Sequence, residues 1–216
     1  MAQPLFCEFL IHTEKDHRYW WPILFEAMRW KSFHFTGPGN PEGHGYYYYV
    51  NLQNYSDTDF VESSFRAAWE RIYEGTSEVL VSFWPPTDEE EPMSLDISLR
   101  EITPGQLIRI HLILDDAYLI DLPRAEVHHR LTLTLDCAKA LYEACRPCTG
   151  DLYWEDIPPI ATFGKPPDQV ALEAAKGWKQ NLQFVKQLLP DGSPLYLLDR
   201  IPVRVRGGWD FLSLLE

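Results

Sequence analysis

Apolar positions change their period several times along this chain, and each change marks an element. Pro4 to His12 reads Pro-Leu-Phe-Cys-Glu-Phe-Leu-Ile-His, β-prone and mostly apolar, which predicts an interior strand. From Asp16 the spacing becomes three and four: Tyr19, Trp20, Ile23, Leu24, Ala27 and Trp30 form the stripe of an amphipathic helix. Pro22 has no N–H to give, so this helix is expected to begin near Trp20 or Trp21.

Gly37 to Gly45 is dense in breakers and reads as a loop, and Tyr46 to Leu52 then reads as a strand with tyrosine on both faces. Ser56-Asp-Thr-Asp59 has the form of a capping box opening a helix, with Val61, Phe65, Ala68, Trp69 and Ile72 on its apolar face and Gly75 closing it. Val79 to Trp84 is a short strand stopped by Pro85-Pro86. Ser94 to Arg100 alternates apolar and polar residues, and Pro104-Gly105 makes a type II-like turn into Leu107 to Leu114, so these segments predict a hairpin.

Beyond Pro123 the stripe Val127, Leu131, Leu135, Ala138, Leu141, Tyr142 and Cys145 continues for more than four turns. Leu131-Thr-Leu-Thr-Leu135 also alternates like a strand, but only over five residues, so the helix is favoured, with Pro147 and Gly150 ending it. Leu152 to Trp154 reads as a short strand. A second helix is expected from Asp168 through about Leu188, with Val170, Ala174, Trp178, Leu182 and Val185 on its stripe. Pro194 to Leu198 and Val203 to Val205 are short strands, and the apolar tail Phe211 to Leu215 is expected to dock. Hairpins and helix-separated strands together predict an α+β fold over residues 1–216 as one domain. Its sheet is mixed or mainly antiparallel, packed by two or three amphipathic helices.

Composition alters this picture mainly through charge. The net charge is −13 over 216 residues, and it is unevenly placed. Residues 40–101 carry thirteen acids against three bases, whereas 1–39 are balanced and 102–216 carry fifteen acids against twelve bases. A local negative field disfavours nucleic acid, whose phosphates need clustered Lys and Arg, and suits a protein partner with a basic surface. There is no signal-peptide pattern at the N-terminus and no apolar run of about 20 residues, so a cytoplasmic protein without a membrane span is expected.

Candidate chemistry is sparse. Cys145-Arg-Pro-Cys148 could bind metal or cycle as a thiol pair, but it lies at a helix C-terminus, where no dipole lowers a thiol pKa. His128-His129 lacks ligand spacing, and Asp115-Asp116 reads as turn chemistry. No phosphate loop, dinucleotide fingerprint or nucleophile elbow is present, and no cofactor is implied. Binding features are stronger. Asp88, Glu89, Glu90 and Glu91 form an acidic run between prolines that can steer a cationic partner, and Tyr46 and Tyr48 offer rigid amphipathic contacts. These six residues form the candidate site of a non-catalytic interaction protein of inhibitor or immunity type. A metal- or thiol-dependent enzyme using Cys145 and Cys148 is the alternative.

Overall fold

The computed structural model describes residues 4–35, 44–50, 58–74, 79–85, 93–154, 159–165 and 184–214; for 44–50, 58–63, 71 and 74 it describes the backbone alone. Ten strands join one sheet: β1 Leu5–His12, β2 His44–Val50, β3 Thr58–Ser64, β4 Val79–Phe83, β5 Leu95–Thr103, β6 Leu107–Leu114, β7 Thr149–Trp154, β8 Ala161–Phe163, β9 Phe184–Leu188 and β10 Pro194–Leu198. Their order across it is β3-β2-β4-β5-β6-β1-β7-β8-β10-β9. Every neighbouring pair is antiparallel. β11 Arg200–Val205 and β12 Gly208–Ser213 form a separate hairpin. With helices α1 His17–Trp30, α2 Phe65–Glu74 and α3 Arg124–Cys145, the chain is a mixed α+β fold made mostly of antiparallel sheet. No described helix is long and apolar enough to cross a membrane.

The central strands are two-sided. On β1, Leu5, Cys7, Phe9 and Ile11 are buried while Phe6, Glu8 and Leu10 are half-buried. Registers carry this alternation to Ile108, Ile110, Leu112 and Leu114 on β6 and to Leu152 and Trp154 on β7. This apolar set shares one core with Trp21, Leu24 and Met28 of α1 and with Leu131, Ala138, Leu141 and Tyr142 of α3. α3 is buried at intervals from Val127 to Cys145, and residues 130–136 are helical, so the length of the stripe outweighed the local Leu-Thr alternation. The β5–β6 hairpin also forms as read: Gln106 N–H donates to the Thr103 carbonyl at 3.0 Å, and Gly105 takes φ +67°, as the third residue of a type II turn requires. The tail docks as β12, with Leu212 buried.

Several local expectations are overturned. α1 starts at His17, not near Trp20, because Asp16 caps it by accepting from Arg18 N–H at 3.1 Å; Pro22 then falls inside the helix on its exposed side. Trp30, placed on the apolar stripe, is 81% exposed, and the buried face turns instead toward Trp21, Leu24 and Met28. The capping box begins at Ser56, outside the described residues, and the residues after it form a strand rather than the expected helix. Residues 58–64 pair with β2, and the cap role passes to Ser64, whose Oγ accepts from Ala67 N–H at 3.4 Å. Residues 184–188, expected to end a helix, form β9 against β10; the rest of that expected helix and Gly75 lie outside the described residues. Finally, α3 ends through Arg146 in the left-handed region, its N–H on the Tyr142 carbonyl, while Gly150 belongs to β7.

Candidate interaction surface

The strand order turns a segment of sequence into one end of the molecule. β3, β2, β4 and β5 are consecutive across the sheet, so the described strands of the acid-rich 40–101 segment lie side by side at one edge. Tyr46 and Tyr48 fall on β2, where they pair in register with Glu62 and Phe60 of the edge strand β3. Through Tyr48–Leu80, Leu80–Ser98 and Ser98–His111 the register of β2 continues to Glu8 on β1. Asp88, Glu89, Glu90 and Glu91 lie outside the described residues, in the connection between two adjacent antiparallel strands whose ends pair Phe83 with Leu95.

α2 belongs to the same end and carries an aromatic ladder. Phe65, Trp69 and Tyr73 recur every four residues, and the rings stack in sequence, 5.9 Å from Phe65 to Trp69 and 6.1 Å from Trp69 to Tyr73. Phe65 is 46% exposed and Tyr73 is 44% exposed. Phe25 of α1 meets the ladder edge-on, 5.5 Å from Phe65 and 5.3 Å from Trp69. Between them opens a pocket of about 360 Å³ whose polar rim holds Glu26, Arg29 and His34. Ala68 and Ile72 of the predicted stripe are buried, whereas Phe65 is exposed and Trp69 half-buried against the core.

The central sheet face opposite the helices is unexpectedly polar. Glu8 Oε2 accepts from His111 Nε2 at 3.0 Å and lies 3.8 Å from Arg109 Nη1, while Lys165 pairs with Asp151. The His111 hydrogen bond, aided by the charges of His111, Arg109 and Lys165, lowers the Glu8 pKa against the opposing effect of burial. Burial dominates elsewhere on this face: it raises the Tyr153 phenol and pushes Asp96 up to about 6, the Ser82 hydrogen bond offsetting part of that shift and Asp115 adding to it. Ser98, His111 and Glu8 stand opposite one another on three adjacent strands, but Ser98 is only 3% exposed, which keeps a substrate from a serine nucleophile there. The strand alternation of Glu8, His111 and Asp151 carried a signal for this row, but only the register aligns the three.

Three of the four cysteines are poor reagents. Burial pushes Cys137 and Cys145 up to about 12 and raises Cys7 well above its ordinary value, so none is a thiolate near neutral pH. Cys148 is exposed, and its thiol donates to the Leu10 carbonyl at 3.0 Å. Among the described residues no three His, Cys, Asp or Glu side chains are grouped to hold a metal ion. No family model, curated protein sequence or solved structure matches this chain.

Proposed function

We propose that this chain is a non-catalytic cytoplasmic interaction protein, of inhibitor or immunity type, that presents its acidic end to the basic surface of a protein partner. The observation that carries the reading is the strand order, which brings β2 to β5 of the acid-rich segment together at one edge of the sheet. There Asp88 to Glu91 supply the field that steers the partner, and Tyr46 and Tyr48 lie on the same strand group to supply contact area. A sheet packed by amphipathic helices serves as the rigid support. Thiol catalysis fits less well, because burial holds Cys145 at about 12 and leaves only Cys148 of the pair able to react.

The test is affinity capture from the native host with the wild-type chain and with a variant in which Asp88, Glu89, Glu90 and Glu91 are replaced by Ser or Gln. A basic partner is expected on the wild type, eluting as salt rises and lost with the variant, because contacts through solvent are screened beyond about 8 Å at physiological ionic strength. Retention by both chains, or elution that ignores salt, refutes the reading.

A further inference from the structure

We propose that the aromatic pocket between α1 and α2 receives a cationic side chain, guanidinium or alkylammonium, from that partner. The inference rests on the interaction reading above and names the anchor within it.

Three observations converge. The faces of Phe65 and Trp69, which line the pocket, carry the negative side of their ring quadrupoles. The ladder already holds a guanidinium inside the chain: Arg18 lies 6.0 Å from the Tyr73 ring centroid at its far end. Phe65 and Trp69 continue the same ladder toward the pocket, offering the chemistry that Tyr73 offers to Arg18. On the rim, Glu26 accepts from Arg29 at 3.0 Å in an exposed pair, and pairs of that kind are weak enough for an incoming cation to share the carboxylate. At about 360 Å³ the cavity is large enough for one long side chain.

The test titrates the full chain with N-acetyl-arginine methylamide and with its neutral isostere, N-acetyl-citrulline methylamide, following the backbone amide signals of α1 and α2 by NMR. The arginine amide is expected to bind about 3- to 10-fold more tightly. Trp69→Leu should remove the preference, and Glu26→Gln, which keeps every ring, should narrow it; if Trp69→Leu does not fold, Glu26→Gln decides. Equal binding of the two amides, or a preference that survives these changes, overturns the proposal. The two readings fail separately. If capture of the partner ignores Asp88 to Glu91 while the arginine preference stands, the acidic-surface reading falls and the pocket remains. If capture depends on those acids while the amides bind equally, only the pocket falls.

Discussion

Gly150→Ala tests the packing of the central strands most sharply. Gly150 sits on β7 opposite Phe9 of β1, and its backbone is not in the left-handed region, so an alanine there suffers no backbone strain. On that ground alone the substitution should stabilise by about 0.4–1 kcal/mol, because it removes freedom from the unfolded chain. Sterics reverse the sign. A Cβ at Gly150 would lie 2.6 Å from Phe9 Cδ1, 2.8 Å from Cε1 and 3.3 Å from the Glu8 carbonyl oxygen. Carbon atoms rest about 3.5–4.0 Å apart, so the Phe9 ring must retreat by roughly 1 Å. It has little room, being fully buried with Phe163 5.4 Å and Tyr142 6.4 Å from its centroid. Overpacking of this kind costs about 1–3 kcal/mol, and the confinement of the ring places the net loss near the upper end. For a chain of this length that corresponds to a fall in Tm of about 4–12 °C by calorimetry or thermal circular dichroism. Phe9→Leu should relieve the clash, so the double variant should lose less than the sum of the single losses, with a coupling of about 1–2 kcal/mol. A Gly150→Ala protein as stable as wild type, or strict additivity with Phe9→Leu, would refute the argument.

Two further outcomes follow from the buried titrating groups. Asp96 has a folded pKa of about 6 against an ordinary 3.8, so between those pH values the folded protein keeps a proton that the unfolded chain releases. Stability should therefore fall as pH rises from about 4 to 6 and stay level above, and Asp96→Asn should gain up to about 3 kcal/mol at pH 7 with little change below pH 4; urea melts across that range check it, and a variant equally unstable at every pH contradicts it. Native protein at pH 8 should show one rapidly reacting thiol, Cys148, and all four only after denaturation, since the other three are buried. A Cys148→Ser variant that still reacts rapidly before unfolding would show that burial does not protect them.

Legibility in the sequence followed the range of the forces involved. α3 was readable because its apolar stripe persists over many turns, and the β5–β6 hairpin because Pro104-Gly105 fixes its turn locally. Residues 58–64 and 184–188 were misassigned because their patterns also fit a helix, and the choice was made by hydrogen bonds to β2 and β10 rather than by local preference. The candidate surface divides in the same way. Its acidic bias could be counted along the chain, and Tyr46 and Tyr48 could be assigned to a strand, but the pocket at Phe25, Phe65 and Trp69 required two helices to meet.

By itself, then, the sequence determined the class of fold, the long central helix, the turn-defined hairpin and the placement of charge, since each is set by periodicity, turn chemistry or composition within a short window. Tertiary structure decided the order of the strands, which residues α1 and α2 bury, the alignment of Ser98, His111 and Glu8 across three strands, and the reason for Gly150. Each of these depends on groups far apart in the chain meeting at a few ångströms, and neither propensity nor spacing encodes which of them will meet.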